Sequence, residues 1–522
     1  MTAWRTALLC GFAVLTLGAA GAPKVEADLL IRGGTVYSGT GEPFVGDVAV
    51  RGDRIVKVGK ALKITARRTI DARGMIVAPG FIDPHTHMGD DLASDDPAKR
   101  LIPAFLMQGV TTAFIGNDGG GTPDVGTLLQ SAATKPVGIN YAAYVGFGAV
   151  RSQVIGADDR APTDAEMAVM KGLVGSAMCQ GALGLSTGLF YAPQSFAKTG
   201  EVVELSRVAA AHGGVYDSHI RDESSYTVGL VGAIEEVITI AREASIPAHI
   251  AHIKALGVDV QGEAPEIIAK VEAARAAGLN ITADQYPWSA SGTSLVASLM
   301  PLWAQDGGRP ALLKRFDDAS LAEKLRAGIT ENLRKRGGAD KLLIVEGKYL
   351  NRTLADVAKE RGEDPVTAAI AVIRIADPGV VSFNQSEADI TAFMKRPWVM
   401  TGSDASGGHP RIYGSFARKY DKYVKTEHVI SLKDFVERSA TLTADWFGLE
   451  GRGRLRAGNF ADIVVFDPKS YASQATYEQP TRLASGVRTV VVNGVIAVDN
   501  GALTGKAAGR ALPHRPKPGS CP

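Results

Sequence analysis

The sequence predicts an α/β protein: a (β/α)8 barrel of the TIM type, a β-sandwich built from both chain ends, and an insertion between barrel strands 7 and 8. Three observations predict this fold. Eight strand-like apolar runs alternate with helical stretches through the middle of the chain. Short β segments separated by Gly and Asp turns occur at both ends. One interval between the apolar runs is too long for an ordinary connection.

An export signal is the first predicted element. Arg5 supplies a positive flank, and residues 8–20 form an apolar run that is too short to span a bilayer well. We therefore predict that residues 1–27 are a secretory signal peptide, with a retained membrane anchor as the alternative. The mature chain is then expected to be secreted across the inner membrane into the periplasm, without an integral membrane span.

Two cysteines, Cys179 and Cys521, remain if this signal is removed. Two cysteines alone do not define a disulfide framework. In an oxidising compartment they can form a single bridge that holds the C-terminal tail, and the alternative is two free thiols.

The predicted β-sandwich draws on two distant segments. Residues 28–80 contain short strand-like runs, and residues 451–500 repeat this style. Neither segment alone makes a convincing domain. We predict that residues 28–80 and 450–512 form one β-sandwich, and that residues 81–449 lie between them as a metal-dependent barrel.

The barrel strands are predicted from the eight apolar runs, at residues 76–83, 109–116, 140–145, 182–186, 214–217, 247–251, 279–283 and 398–401. Helical periodicity lies between them, at residues 164–179, 200–211 and 230–244 among others. Roughly a hundred residues separate the last two runs, far more than a usual βα connection. We predict an insertion at residues 289–383 that lies over the site and shapes the substrate pocket.

Histidines and acids follow these runs in an order typical of a metal hydrolase. His85 and His87 are two positions apart, so on a strand they point the same way and can reach one cation. Neutral imidazole suits Zn²⁺. Asp118, His219 and His252 end further runs, and we predict all five as metal ligands. The alternative for Asp118 is a turn-capping residue before a glycine run.

Asp404 follows the last predicted strand. An Asp in this position, beside a bound metal, can orient and deprotonate a water molecule and then protonate the leaving nitrogen. We predict Asp404 as a metal ligand and as the catalytic base, with a helix N-cap as the alternative. The expected cofactor is Zn²⁺, one ion or two, and another divalent metal is the alternative.

Four cationic residues near these ligands are candidates for substrate binding. Arg221 and Lys254 lie two positions beyond His219 and His252, so each is expected to face the same way and to hold a carboxylate. His409 and Arg411 follow Asp404 closely and are expected to face the substrate. The alternative for each is a salt-bridged residue at the rim of the barrel.

The charge balance excludes one class of partner. Lys and Arg number 57 and Asp and Glu number 55, which gives a net charge of +2. Because nucleic-acid binding requires a basic surplus, we expect no nucleic-acid partner. A small molecule is the expected partner instead.

Several motifs carry a family resemblance across most of the chain after the predicted signal peptide. They are Pro-Gly-Phe-Ile-Asp-Pro-His-Thr-His at 79–87, Ser-Thr-Gly-Leu at 186–189, Ser-His-Ile-Arg at 218–221, Gly-Ser-Asp at 402–404 and His-Pro-Arg-Ile-Tyr-Gly at 409–414. With these motifs the sequence resembles the amidohydrolase superfamily and, within it, the N-acyl-D-amino-acid deacylase (D-aminoacylase) family. The resemblance implies a barrel with a β-sandwich, zinc at the barrel mouth, and hydrolysis of an amide on an amino acid.

The resemblance also implies roles for particular residues. His219 and His252 would hold the tighter metal, and His85 and His87 a second one. The positions that look like substrate contacts of the family are Tyr191, Lys254 and Tyr286. The chain departs from the family at Asp118, where the family has a metal-bridging cysteine. Carboxylate is a harder ligand than thiolate, so this departure bears on the number and identity of the metals.

The function that follows is hydrolysis of the amide bond of N-acyl amino acids, with N-acyl-D-amino acids preferred. One alternative is the same site acting on a dipeptide that contains a D-residue, or on a cyclic amide. Cyclic-amide relatives commonly use a carboxylated lysine on strand four, and the run at 182–189 contains no lysine. A binding protein without catalysis is the alternative from another class.

Overall fold

The structure is a computed structural model that describes residues 26–521. Apart from its last two residues, the predicted signal peptide lies outside the described residues, so its export role stays a prediction. Ala27 already begins the first strand. Within residues 26–521, no helix combines the length and the apolar composition that crossing a membrane requires.

The strands of the described chain are β1 Ala27–Val36, β2 Phe44–Arg51, β3 Arg54–Gly59, β4 Ala66–Asp71, β5 Ile76–Pro79, β6 Phe81–Asp83, β7 Val110–Ile115, β8 Asn140–Ala143, β9 Val145–Gly146, β10 Gly184–Gly188, β11 Val215–His219, β12 Ala248–Ile250, β13 Ile281–Gln285, β14 Ala290–Ser294, β15 Leu342–Ile344, β16 Arg352–Thr353, β17 Gly379–Phe383, β18 Val399–Thr401, β19 Ile463–Phe466, β20 Val487–Val492, β21 Val495–Asp499 and β22 Ala502–Leu503.

The α-helices are α1 Gly89–Ala93, α2 Pro97–Arg100, α3 Pro103–Leu106, α4 Val125–Gln130, α5 Phe147–Val154, α6 Asp164–Cys179, α7 Thr199–Ala211, α8 Gly229–Glu243, α9 Ala264–Ala276, α10 Leu295–Leu299, α11 Gly308–Asp317, α12 Ala322–Lys335, α13 Leu354–Arg361, α14 Pro365–Ile375, α15 Glu387–Met394, α16 Arg411–Arg418, α17 Leu432–Val436 and α18 Leu442–Trp446. Capping residues set several starts. Thr163 and Glu166, for example, form a reciprocal capping box at the first turn of α6.

The central barrel consists of parallel strands in two hydrogen-bonded groups. One group is β6-β7-β8, and the other runs β9-β10-β11-β12-β13-β18. Because β8 and β9 are two parts of one strand interrupted at Tyr144, the barrel has eight strands. A parallel bridge between Thr86 and Ala405 joins the first strand to the last. The predicted fold class is confirmed, and the ends of the strands meet at one mouth.

The first predicted barrel strand requires a correction. The run at 76–83 is two strands: β5 pairs with β1 and β19 in the terminal sheet, and β6 begins the barrel. The chain passes from one sheet to the other at Gly80, where a Cβ would lie only 2.3 Å from the Thr111 hydroxyl. Both strands are fully buried, so hydrophobicity alone could not separate them.

Both chain ends build one terminal sheet of nine strands. Its order is β22-β21-β20-β19-β5-β1-β2-β3, with β4 paired to β1. Leu29 and Val48 from the N-terminal part share one hydrophobic cluster with Ile463 and Val491 from the C-terminal part. Each end therefore buries its apolar face only in the presence of the other.

The segment between β13 and β18 forms a separate layer. Strands β14, β17, β15 and β16 make a four-stranded antiparallel sheet, and α10 to α14 pack beside it. This layer has its own hydrophobic cluster, which includes Leu299, Ile329, Leu354 and Ile373. Strand β14 lies at the barrel mouth, and the layer thereby contributes side chains to the site.

A disulfide between Cys179 and Cys521 ties the C-terminal tail to the end of α6. We expect Cys179→Ser to lower the free energy of unfolding by about 2–4 kcal/mol, because the bridge closes a long loop and restricts the unfolded chain. Chemical unfolding with and without reductant measures this change. Reductant should destabilise the wild type and leave the variant unaffected; a wild type that is insensitive to reductant would contradict the prediction.

Candidate metal centre

Six side chains converge at the barrel mouth, each carried to the end of a strand. His85 and His87 follow β6, Asp118 follows β7, His219 ends β11, His252 follows β12 and Asp404 follows β18. The ends of parallel barrel strands share one face, so residues far apart in sequence meet there. All six predicted ligand positions are brought together.

Asp118 lies at the centre of the cluster. Its Oδ1 is 3.3 Å from Nε2 of His85 and 3.7 Å from Nε2 of His252. Its Oδ2 is 3.4 Å from Nε2 of His87 and 3.6 Å from Nδ1 of His219. Each oxygen thus faces two imidazoles, so this carboxylate and the four histidines could together hold a divalent cation.

The turn-capping alternative for Asp118 finds no support. In the glycine run that follows, the Gly120 N–H donates to the Asn117 carbonyl and the Gly121 N–H to the Gly116 carbonyl. The Asp118 carboxylate is therefore not needed to satisfy these amides and faces the histidines instead.

Asp404 joins the cluster from the opposite wall. Its Oδ1 is 3.3 Å from Nε2 of His87 and 3.7 Å from Nε2 of His85. Its Oδ2 is 2.6 Å from Nη1 of Arg411. One oxygen thus faces the histidines, while an ion pair fixes the other.

Three cluster residues have a left-handed backbone. Asp118, His252 and Asp404 have φ values of 55°, 35° and 48°. Such φ values are uncommon for residues with a side chain, and strained backbone concentrates at functional sites. At these positions the chain turns sharply at a strand end and directs the side chain into the barrel mouth.

The cluster fits a divalent cation. Both ring nitrogens of His85 and of His219, together with Oδ1 of Asp118, are buried and have no hydrogen-bond partner among the described residues. Buried polar atoms without a partner are rare and need an explanation. Ligand atoms of His85, Asp118, His252 and Asp404 all lie within 4.8 Å of one another. Imidazole nitrogens and carboxylate oxygens are ligands that suit Zn²⁺.

The electrostatics favour bound positive charge. Burial alone would lower the pKa of His85, but the Asp118 carboxylate raises that pKa to about 9. Desolvation opposes the charge on the His87 ring, although its side chain remains 34% exposed, and contacts with Asp118 and Asp404 raise its pKa to about 9. Burial would raise the pKa of Asp404, but the neighbouring Arg411 guanidinium keeps that pKa well below its ordinary value. The carboxylates stay ionised and attract a cation.

A second group of possible ligands, His219, Glu223 and His252, is already occupied by an ammonium group. Lys254 Nζ lies 2.5 Å from Oε1 of Glu223 and 2.6 Å from Nδ1 of His252. Burial would raise the pKa of Glu223, but Lys254 holds it far below its ordinary value. Glu223 was not predicted from the sequence. The signal that could have indicated it is its position four residues after the predicted ligand His219.

Two buried polar residues outside the proposed ligand set, His249 and Asp284, lie next to the cluster. His249 lies within β12, and its ring nitrogens lie 2.9 Å from Thr282 Oγ1 and 2.9 Å from Asp284 Oδ2. The same Asp284 oxygen is 3.9 Å from Nδ1 of His85. Carboxylates of this kind fix the orientation of a ligand histidine. Asp284 was also missed, because it lies within a strand and resembles an ordinary polar residue.

A small pocket of about 20 Å³ lies directly above the cluster. Barrel residues Tyr191, Glu223 and Lys254 form one side, and Thr293 and Arg336 of the inserted layer form the other. The insertion therefore covers the site, as its length led us to expect. The space is sufficient for little more than one water molecule, so the mouth is nearly closed in this conformation.

Four of the six predicted substrate-binding residues line the pocket or lie close to it, and the other two do not. Tyr191 and Lys254 line the pocket. Tyr286 is buried beside it, with Lys254 Nζ 5.5 Å and Arg411 Cζ 5.0 Å from its ring centre. Arg411 is paired with Asp404 as described.

Arg221 and His409 are not in this pocket, which corrects two expectations. Strand β11 ends at His219, so alternation does not extend to Arg221, whose Nε and Nη2 each donate to Glu236 at 2.8 Å. His409 is buried: its Nε2 lies 3.0 Å from the Ala290 carbonyl, and its Nδ1 accepts from the Arg411 N–H. Arg221 thus contacts α8, and His409 contacts β14.

Comparisons with known proteins agree with this geometry. A model of the amidohydrolase family matches residues 68–498. The D-aminoacylase of Alcaligenes xylosoxydans xylosoxydans is 34% identical over 515 residues, covering 93% of this chain and 97% of the relative.

Two solved structures are similar over nearly the whole chain. A D-aminoacylase with a binuclear metal centre shares 32% identity at a TM-score of 0.79, covering 93% of this chain and 100% of the other. The N-acyl-D-glutamate deacylase of Bordetella bronchiseptica, complexed with zinc and a phosphonate mimic of the tetrahedral intermediate, shares 30% identity at a TM-score of 0.80, covering 93% and 99%. The resemblance found in the sequence is confirmed.

Proposed function

The chain belongs to the amidohydrolase family, and from this premise we propose that it is a metal-dependent hydrolase that cleaves the amide bond of N-acyl amino acids, with N-acyl-D-amino acids preferred. The observation that carries the proposal is the Asp118 carboxylate at the centre of four histidines, with Asp404 facing the same point. The D-aminoacylase and D-glutamate deacylase relatives support the substrate class.

The proposed ligands are His85, His87, His219 and His252, with Asp118 between them and Asp404 beside them. A divalent cation held there, one zinc ion or two, supplies a water molecule of lowered pKa and polarises the scissile carbonyl. The nitrogen-rich set with two carboxylates suits zinc.

Asp404 is the proposed proton carrier. Its ionised carboxylate accepts a proton from the attacking water and returns it to the departing amine nitrogen. Arg411 holds Oδ2 at 2.6 Å and leaves Oδ1 directed at the cluster, so one oxygen is fixed for the transfer. The aromatic side chains of Phe190 and Tyr191 close the pocket and exclude bulk water.

Metal content and substrate selectivity test the proposal together. We expect elemental analysis of the purified protein to give one or two zinc ions per chain, and matched N-acyl-D- and N-acyl-L-amino acids to show faster amine release from the D series. Protein treated with a chelator should lose activity and regain it with zinc. Metal without release from either series would contradict the proposed reaction. Protein without metal would point to the non-catalytic alternative.

We also propose that the protein works in the periplasm. The predicted signal peptide and the Cys179–Cys521 disulfide support an oxidising compartment. Intact mass of protein recovered from a periplasmic extract should match a chain without residues 1–27. Full-length protein confined to the cytoplasm would contradict the proposal.

A further inference from the structure

One cation of the pocket is buried without a counter-ion. Arg336 follows the last residue of α12 in the inserted layer, is 2% exposed and lines the pocket above the cluster. Its Nε donates to the Ser298 carbonyl at 3.2 Å, whereas its Nη1 has no hydrogen-bond partner. Among residues 26–521, this guanidinium is paired with no carboxylate. Buried arginines are almost never left unpaired.

The other cations near the site already have partners. Lys254 is 2.5 Å from a Glu223 oxygen, and Arg411 is 2.6 Å from an Asp404 oxygen. Arg221 is paired with Glu236 and lies outside the pocket. Of the two cations that line the pocket, Lys254 and Arg336, Arg336 is therefore the one whose charge no carboxylate of the described chain neutralises.

A second donor lies beside Arg336. Tyr226 lines the same pocket, and its hydroxyl is buried without a hydrogen-bond partner in the described chain. The centre of its ring is 5.7 Å from Cζ of Arg336. An arginine fork and a hydroxyl together match the two oxygens of a carboxylate.

We propose that Arg336, assisted by the Tyr226 hydroxyl, binds a carboxylate of the substrate and makes this hydrolase specific for anionic amides. The proposal rests on the proposed function for its substrate. The carboxylate is either the α-carboxylate of the amino acid or an acidic side chain, and both present the same two oxygens. Because Arg336 belongs to the insertion, bound substrate would connect the insertion to the barrel.

Arg336→Gln is the principal test. We expect KM for the anionic substrate to rise on the order of 100-fold, since a buried charge-assisted pair is lost, with a smaller change in kcat. Arg336→Lys retains the charge without the fork and should raise KM on the order of 10-fold. Arg326→Gln is the matched control: Arg326 lies on α12, the helix that Arg336 follows, and pairs with Asp364 at the surface, so this change should leave KM unchanged.

Matched substrate pairs identify which carboxylate is bound. If Arg336 binds the α-carboxylate, Arg336→Gln should lose the preference for an N-acyl-D-amino acid over its α-amide. If it binds a side chain, the variant should lose the preference for N-acyl-D-glutamate over N-acyl-D-glutamine. Either loss supports the proposal. Unchanged KM and unchanged preference in both pairs would overturn it.

Folding and turnover are controlled separately. Thermal unfolding establishes that each variant is folded. If Arg336→Gln does not fold, Tyr226→Phe tests the subsite, because it removes only one hydroxyl. Tyr226→Phe should raise KM several-fold, and an unchanged KM would count against the subsite. If the wild type releases no amine, the proposed function fails. In that case, calorimetric titration of the wild type and Arg336→Gln with N-acetyl-D-methionine and N-acetyl-D-glutamate still tests the anion site. Weaker binding to Arg336→Gln than to the wild type supports the site. Equal binding to both proteins, or no binding to either, refutes it.

Discussion

Asp404→Asn is expected to lower kcat about 10²–10⁴-fold, the range associated with loss of a positioned general base, while the bound metal remains. The amide has nearly the same size as the carboxylate but cannot accept the proton of the attacking water. Asp118 and the four histidines stay in place, so the metal keeps most of its ligands.

The measurement combines kcat with elemental analysis of the same preparation. A loss of both metal and activity would mean that Asp404 acts mainly as a ligand. Near wild-type turnover would exclude the proposed proton transfer. Asp421→Asn is the matched control: Asp421 is partly exposed and pairs with Lys425 away from the cluster, so this change should alter neither quantity.

The ion pair between Arg411 and Asp404 offers a second explanation for a loss of activity in Asp404→Asn. In Asp404→Asn the guanidinium loses its partner at 2.6 Å, which removes a buried charge-assisted contact. Part of the effect could therefore come from displacement of Arg411. Arg411→Lys separates these contributions: if it alone reproduces the loss in kcat, orientation of Asp404 matters as much as its proton transfer.

The barrel could be predicted well because its strands and helices have regular signals. The helical periodicity at 164–179, 200–211 and 230–244 matches α6, α7 and α8 to within one residue at each end. The split of the first run at Gly80 could not be predicted, since two buried strands in different sheets read as one apolar run. Strand β4 could not be predicted, because its residues Arg67, Arg68 and Thr69 are exposed and lack apolar alternation.

Some residues of the site could likewise be predicted from the sequence, and others could not. Residues at strand ends, such as His85 and Asp404, could be located because a barrel gathers these ends at one mouth. Alternation failed for Arg221, since the strand had already ended. Arg336 could not be found from the sequence at all. It directly follows helix α12 of the insertion, and only the packing of that layer over the barrel brings its guanidinium to the pocket.

Asp118→Ala is expected to weaken metal binding by more than about 100-fold and to reduce activity accordingly. Changes behind the ligands alone typically weaken binding 10- to 100-fold, and Asp118 faces all four histidines directly. Without the carboxylate, four imidazoles would have to hold one or two dications with Asp404 as the remaining acid. Competition with a metallochromic chelator measures the affinity, and elemental analysis gives the number of ions retained.

Asp118→Cys distinguishes a bridging role from simple negative charge. A thiolate at this position can still bind a cation, but it is softer, so the variant should favour zinc over manganese more strongly than the wild type does. With cobalt in place of zinc, a thiolate-to-metal absorption band should appear in the variant and be absent from the wild type. Asp118→Asn keeps the shape without the charge and should resemble Asp118→Ala. If all three variants bind metal like the wild type, Asp118 is not a ligand, and the two carboxylate oxygens between the four histidines have another purpose.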